Sequence, residues 1–340
     1  MEIDWFEKLF GFEEKSYEET KKKLVIKDSK IHSLINNQSY QIGKLKLKSL
    51  KELRKETNLL KREKYLRKKN KLEIVEGNVQ YFLRLEDNHS ALFQVASQFN
   101  MLEMIEPSIT PEHGVTRYRY DKTQGPACSI ATGAATVYRN YFVPNAEIIG
   151  QTSEKQLNGL AEIQRRISFD LKVEDSNIWK MQNGYVLFSE EGISKINNYL
   201  ETNINNIEKL KENLVIGIHQ DVEVTYANNF NKNLVSLALC SAIPVSYNSV
   251  NPISLKLFSC LILEAAYEAT FLAGILNRNK KGSGKVYLTL LGGGAFGNDI
   301  NWIISSLEKV LFQLENSNLD IKIISYDKPS KQLVNLVEKF

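Results

Sequence analysis

Val286-Tyr287-Leu288-Thr289-Leu290-Leu291-Gly292-Gly293-Gly294-Ala295-Phe296-Gly297-Asn298-Asp299 is followed at once by an apolar helical stretch. The first six residues read as a buried strand, the middle as a turn holding four glycines, and the end as the start of a helix. Glycine lets the backbone take positive φ and lets a ligand approach without a Cβ in the way. Successive N–H groups of such a turn can converge as a nest for an anion. The following helix directs its positive end to the same place. The arrangement suits a diphosphate. It is no Walker loop, because GxxxxGK[ST] is absent, and it lacks the GxGxxG order and early position of a dinucleotide-binding turn. Judged on glycine content alone, the lesser alternative is a plain tight turn between a strand and a helix.

Outward from this turn, strands and helices alternate. Ile321–Ile324 reads as a strand, and residues 330–338 as a short helix. Upstream lie strand-like Lys285–Leu291, a long helix over Leu255–Leu276, and strands at Leu234–Val245, Val222–Val224 and Leu214–Ile218. Residues 151–213 read as a helical insertion broken near Asn183-Gly184. Earlier come a run of small residues from Ala127 to Ala135, a polar loop over Glu106–Gln124, a strand turning into a helix over Ala91–Met104, and a strand at Leu72–Val75. This alternation predicts an α/β layered domain on a mixed, mainly parallel sheet flanked by helices.

The first 71 residues read as helical or irregular. Trp5, Phe6, Leu9 and Phe10 recur at helical spacing and Gly11 stops that helix; Leu50–Lys71 is a second helix that Asn70 can end. The expected organisation is a basic helical extension over 1–71 and a core domain over 72–340, with the insertion at about 151–213.

Length and composition agree with one elaborated α/β domain or with a core plus an accessory region. The chain has 340 residues, 43% hydrophobic and 25% charged, with a net charge of +4. The charge is uneven: residues 1–71 hold 20 Lys and Arg against 11 Asp and Glu. Such a block is a solvated face or an arm for an acidic partner such as nucleic acid or acidic lipid. Three scattered cysteines, Cys128, Cys240 and Cys260, form no CxxC, which argues against a disulfide framework and a structural zinc. No leader is read at Met1–Phe12, and apolar runs such as Leu255–Leu263 are too short to span a bilayer. A soluble protein of a reducing, cytoplasmic compartment is expected, with delivery into another cell left open.

The block GGGAFGND before a helix, then a last strand ending Ile-Ser-Tyr-Asp, resembles the C-terminal ADP-ribose loop of macrodomains. It is most similar to the microbial poly(ADP-ribose) glycohydrolase branch, where a GxGxFGN-type loop precedes a helix and a final strand. Other blocks follow the same order. Ile74-Val75-Glu76-Gly77-Asn78-Val79 resembles the strand ending in Gly-Asp-Ile whose acid binds adenine, with Asn78 in place of that acid. Residues 91–100, ALFQVASQFN, resemble the strand and turn ending in a ribose-contacting Asn, which puts Gln98 and Asn100 at matching positions. Gln124-Gly125-Pro126-Ala127 stands where macrodomains carry a first phosphate loop, with one glycine only. The likeness covers about 72–145 and 214–327. It implies a macrodomain-like fold and ADP-ribose as ligand. It also implies a site in which Asn78 holds adenine and Gln98 and Asn100 hold the distal ribose. Gln124 and Gly292, Gly293, Gly294, Ala295, Phe296, Gly297 and Asn298 line the phosphates, with Phe296 against the distal sugar.

Hydrolysis of an ADP-ribosyl bond develops positive charge at the distal ribose C1″, so carboxyl groups are the natural tools. Adjacent glutamates after a glycine-rich loop, the pattern of the glycohydrolases, are missing here. Asp221 and Glu223 in His219-Gln220-Asp221-Val222-Glu223 stand two apart on a strand, on one face, as an acid–base pair or a seat for a divalent metal; the alternative is an exposed polar strand face. Glu264, four before Glu268 on the long helix, is a third candidate whose apolar setting demands a partner. Glu103, just after ALFQVASQFN, could hold a ribose hydroxyl. Asn298 or Asp299 can cap the next helix. His32, His89, His113 and His219 have no ligand spacing, and no GxSxG nucleophile signature is present.

Three functions are compatible with these residues. One is an ADP-ribosyl hydrolase, an enzyme cleaving the glycosidic bond of an ADP-ribosylated protein (ubiquitin among the candidate carriers) or of an ADP-ribose derivative. It needs no cofactor, with a divalent cation as an option at Asp221 and Glu223. Another is a non-catalytic ADP-ribose reader. The third is an α/β enzyme acting on another nucleotide. Carboxyl groups turned away from the glycine loop would favour the reader.

Overall fold

The computed structural model describes residues 4–60, 68–226 and 232–340. Its central sheet has seven strands: β1 Lys44–Ser49, β2 Lys71–Glu76, β3 Leu92–Ala96, β4 Val215–Glu223, β5 Leu234–Cys240, β6 Lys285–Leu288 and β7 Asp320–Ser325. Their order across the sheet is β1-β4-β5-β3-β6-β7-β2. The last five in that order are parallel neighbours. β4 runs antiparallel to both β5 and β1. The sheet is thus mixed and mainly parallel, with helices on both faces, as the alternation of elements implies. Parallel strands covered on both sides lose the in–out alternation of an amphipathic strand. Accordingly Leu92 to Val95 of β3 and Val286 to Leu288 of β6 are buried without a break.

Seven helices matter for the site: α1 Trp5–Phe10, α2 Leu50–Leu60, α3 Val79–Arg84, α4 Gln124–Ala131, α5 Gly133–Tyr141, α6 Lys256–Lys281 and α7 Ile300–Gln313. On one face Phe258 and Phe271 of α6 and Ile303 and Leu307 of α7 pack on Leu92, Ala238 and Ile321. On the other, Phe82 of α3 and Cys128 of α4 pack on Phe93, Leu237 and Tyr287. Phe93 and Tyr287 stack with ring centroids 4.4 Å apart. The helical stretch Pro252–Lys281 is long and apolar enough to cross a membrane, which the shorter run Leu255–Leu263 did not suggest. Its most apolar window is 89% buried in the protein, so it serves here as the core helix.

Several local expectations come out differently. Ala91–Met104 is a strand to Ala96 and then irregular, with no helix. The side chains of Gln98 and Asn100 bond the backbone of Met104 and Leu102, and Met101 takes a positive φ of 64°. These side-chain bonds compete with a helical ladder. The break at Asn183-Gly184 is a hairpin turn between strands Lys180–Gln182 and Tyr185–Leu187, inside an insertion that also holds helices Ala161–Leu171, Glu190–Thr202 and Ile207–Lys211.

In the basic front, α1 ends on a left-handed Gly11 as read from sequence. Residues between α1 and α2 do more than coil. Leu24–Lys27, Lys30–Ser33 and Ser39–Gln41 make a small antiparallel sheet, and β1 joins the main sheet as its edge. The expected helix over Leu50–Lys71 runs to Leu60; residues 61–67 of that stretch lie outside those described. Asn70 ends no described helix: it accepts from the Leu319 N–H and donates to the Leu314 carbonyl.

Two contacts bind this front to the body. The Glu14 carboxylate accepts hydrogen bonds from the Val115 and Thr116 N–H groups at 2.9 and 2.7 Å, and from the Tyr141 hydroxyl at 2.8 Å. Arg54 of α2 grips Glu268 of α6 with two bonds of 2.7 Å. Glu268 is buried and has no other partner among the described residues. Removing one member of a buried ion pair strands the other. Arg54→Met is therefore expected to cost about 3 kcal/mol, read as a lower urea midpoint. Arg54→Met with Glu268→Leu should recover most of that loss; equal stability of the two variants would contradict this account.

Candidate active site

A cavity of about 380 Å³ opens at the carboxyl ends of β3, β5, β6 and β7. That is where ligands bind in open α/β sheets. One wall is the turn after β6. Gly292 and Gly297 bracket it with φ of 76° and 69°, which favour glycine. Within it the Gly293 N–H is spent on Leu290, Gly297 on Gly294, and Asn298 on Gly292. The N–H groups of Gly294, Ala295 and Phe296 have no partner among the described residues. The unpartnered N–H groups of Gly294 to Phe296 thus fall within the Gly292–Asn298 stretch that the sequence assigns to the phosphates. Asp299 caps α7 by accepting from the Asn301 N–H. Asn298 instead donates its side-chain amide to the Ile243 and Gly292 carbonyls and locks the turn.

Beyond the turn the cavity changes character. Ile300, Ile303 and Ile324, with the exposed Tyr326, make part of its lining apolar and aromatic. At another part of the lining Phe296 packs on Tyr185 and Tyr247, with centroids 5.5 and 5.9 Å apart. Glu103, Asp121, Gln98 and Gln124 are among its polar groups, with Lys122 beside them in sequence. Gln124 accepts from the Val79 N–H and so fixes the start of α4 against α3. Gly125 is glycine for space: a Cβ there would come within 2.4 Å of the Ala96 carbonyl and 2.8 Å of Glu103 Oε2.

Glu103 is the distinctive group. Its residue is 2% exposed, its N–H is held by the Tyr118 hydroxyl at 3.0 Å, and its Oε1 finds no partner. Burial pushes its carboxyl well above the ordinary value, with Asp121 adding to the rise and Arg139 opposing it. A carboxyl so placed keeps its proton where an exposed one has lost it, which is the state a general acid needs.

The cavity brings together Gln98, Glu103, Gln124, Gly292, Gly293, Gly294, Ala295, Phe296 and Asn298. It does not include six others. Asn78 caps α3, accepting from the Gln80 N–H, as a short polar residue at a helix start does. Asn100 is fully buried and bonds Gln156 and the Leu102 N–H. Asp221, Glu223 and Glu264, read as catalytic, all lie elsewhere. A bulge between His219 and Val222 breaks the alternation of β4, and Asp221 takes a φ of 58°. Asp221 pairs with Lys281 at 2.8 Å, and Glu223 accepts from the Gln41 N–H at 2.7 Å, so the two do not act as a pair. Glu264 is clasped by Lys211 at 2.6 Å and by Lys309 at 2.5 Å. Gly297 closes the turn without lining the cavity. No group of three or more His, Cys, Asp or Glu side chains fit to hold a metal occurs among the described residues.

No protein-family model matches the chain, and no curated protein matches it. Among solved structures, poly(ADP-ribose) glycohydrolase from Thermomonospora curvata is similar with a TM-score of 0.47 and 9% identity, over 94% of each chain. The same enzyme bound to the inhibitor ADP-HPD gives 0.45 and 10%, again over 94% of each chain. Poly(ADP-ribose) glycohydrolase from Deinococcus radiodurans, in complex with ADP-ribose, gives 0.45 and 9%, over 87% of this chain and 92% of that one. Likenesses this distant leave the site to be read from its own geometry.

The state of Glu103 has a thermodynamic signature. A carboxyl whose value is raised on folding takes up a proton, so its contribution to stability is full at low pH and fades as pH rises through the raised value. Glu103→Gln, which has no charge to bury, should match wild type in Tm near pH 4 and exceed it at pH 7. The same Tm difference at both pH values would contradict burial as the cause.

Proposed function

We propose that this chain hydrolyses the glycosidic bond of an ADP-ribosyl group. The observation that carries the reading is one cavity lined both by the free amides of Gly294, Ala295 and Phe296 and by a buried carboxyl with an unbonded oxygen. A nucleoside diphosphate sugar has matching parts. Its diphosphate suits the converging amides. Its flat base suits the apolar lining of Ile300, Ile303 and Tyr326, and its distal sugar the polar groups of Glu103 and Asp121. The likeness of the GGGAFGND block to the macrodomain loop points to the same ligand.

In the chemical step Glu103 gives its proton to the leaving atom as the bond to C1″ breaks. Water adds to C1″, and the proton it sheds returns to solvent or to Glu103. Phe296, braced by Tyr185 and Tyr247, would hold the distal sugar in place. The conjugate carrying the ADP-ribose, protein or polymer, is part of this proposal. The reader alternative draws on the same amides but leaves an unpaired buried acid without a role, so the hydrolase is preferred.

ADP-ribose at 100 times its Kd should stabilise the fold by about 2.7 kcal/mol through mass action, seen as a rise in Tm; no rise at millimolar ligand would remove both hydrolase and reader. Gly294→Val should abolish that rise while the unliganded protein stays folded. A Cβ at residue 294 would stand 3.3 Å from Thr123 Cγ2, so the further methyls fill the cavity mouth, and its φ is not one that demands glycine. Unaltered affinity by calorimetry would refute the amide nest.

Glu103→Gln should retain ADP-ribose binding and lose about 10²–10⁴-fold in kcat on ADP-ribosylated protein or polymer, the range a general acid supplies. Full activity in that variant would exclude Glu103 as the acid, and binding without turnover in wild type would establish the reader.

A further inference from the structure

The insertion at about 151–213 lies outside the macrodomain likeness, yet its hairpin reaches the cavity. Tyr185, the first residue of the second hairpin strand, lines the cavity and is 1% exposed. Its side chain touches two walls. The hydroxyl donates at 2.6 Å to the carbonyl of Met104, the residue after Glu103. The ring packs on Phe296 of the glycine turn at 5.5 Å between centroids and on Tyr247 at 4.9 Å.

The bend after β3 that carries Glu103 is shaped from within. The Gln98 N–H donates to the Leu102 carbonyl at 2.8 Å. The Gln98 side chain accepts from the Met104 N–H at 2.7 Å and donates to the Met104 carbonyl at 2.8 Å. These bonds close the bend on itself and tie it to nothing else. Its anchors come from other segments. The Tyr118 hydroxyl accepts from the Glu103 N–H at 3.0 Å. The hairpin supplies three more: the Gly184 carbonyl accepts from the Phe99 N–H at 3.2 Å, Gln156 links Asn100 to Asn183 with bonds of 2.8 and 2.7 Å, and Tyr185 takes the Met104 carbonyl. Gly184 permits the close approach: its φ is 82°, and a Cβ there would stand 2.6 Å from Asn100 Oδ1 and 2.7 Å from Gln98 Cβ. Among the described residues, Tyr185 differs from the other anchors in lining the cavity and in packing on the glycine turn.

We propose that Tyr185 is a positioning residue that sets the spacing between Glu103 and Phe296. Its hydroxyl fixes the limb of the bend next to the acid, and its ring supports the aromatic side chain that faces the sugar. The inference deepens the hydrolase reading and rests on it for its catalytic meaning. Glu103 lies beyond the end of β3 at Ala96, and Phe296 beyond the end of β6 at Leu288, so both stand on irregular backbone that the sheet alone does not hold. A general acid must come within hydrogen-bond reach of the leaving atom. A displacement of about 1 Å costs on the order of 10²-fold in rate. One side chain that bonds the first segment and packs on the second removes that freedom. The insertion is then a working wall of the site.

The test compares Tyr185→Phe with Tyr185→Leu in the full chain. Phenylalanine keeps the ring and loses the hydroxyl. Gln98 still satisfies the Met104 carbonyl, so no buried acceptor is stranded and the variant should fold. It should bind ADP-ribose as wild type does by calorimetry. On poly(ADP-ribose) or mono-ADP-ribosylated protein, whichever wild type cleaves, KM should be unchanged and kcat lower by about 10- to 10²-fold. Leucine also removes the ring contact and should in addition weaken ADP-ribose binding by about tenfold. Should the leucine protein fail to accumulate, Tyr185→Met takes its place. Wild-type kcat in Tyr185→Phe would overturn the proposal, since the hydroxyl would then only fill space. So would a rise in KM and Kd in the phenylalanine variant equal to that in the leucine variant, which is general loosening. Wild type that binds ADP-ribose without turnover would remove the hydrolase reading, and affinity alone would then decide. Weaker binding in Tyr185→Leu only would uphold the support of Phe296, and equal binding in both variants would overturn it.

Discussion

A carboxyl group deprived of water, with no cation directly against it, sets the terms for the rest of this structure. Ionising Glu103 means placing a charge in a medium that solvates it poorly, and the protein sets against it only the Arg139 guanidinium, which is not in contact with it, while a tyrosine hydroxyl holds its backbone N–H. The parallel strands supply the frame. β3 ends beneath the cavity, β6 ends in the glycine turn, and the two are hydrogen-bonded neighbours, so the buried carboxyl and the free amides of the turn are fixed relative to each other by a sheet and not by loops alone.

Much of this was legible in the sequence because it follows from residue types with few alternatives. The run from Val286 to Asp299 could be little other than a buried strand, a turn and a helix, and its glycines at 292 and 297 do take the backbone conformation that favours glycine. The mixed, mainly parallel sheet followed from the spacing of apolar runs. The polar residues near the end of β3 were found as well: Gln98 and Glu103 both line the cavity.

What was missed has physical causes. Glu103 was given a lesser part because its weight comes from burial, and burial is set by Tyr118, Gly125 and Arg139, which are distant in sequence or unremarkable within it. Asp221 and Glu223 were overvalued because strand alternation was assumed to continue through residues 219–223, and a bulge is a one-residue event that composition does not announce. Glu264 shows the ambiguity of an acid in an apolar helix: a partner was required, and it has two in Lys211 and Lys309. The lysine-rich Lys44–Ser49 read as charge enrichment although its alternate leucines suit an edge strand, where lysine guards against further pairing.

The Glu14 carboxylate, bonded to two N–H groups at 115 and 116 and to the Tyr141 hydroxyl, bears on how such a protein can be dissected. Those N–H groups begin the segment that runs through Tyr118 to Asp121 and Gln124, so a side chain near the start of the polypeptide braces the rim of the cavity from behind. The basic front is consequently scaffolding as much as appendage. Cutting the chain at the apparent border near residue 71 would remove an edge strand and this brace together, and would leave a recognisable glycine turn facing a wall that no longer holds its shape.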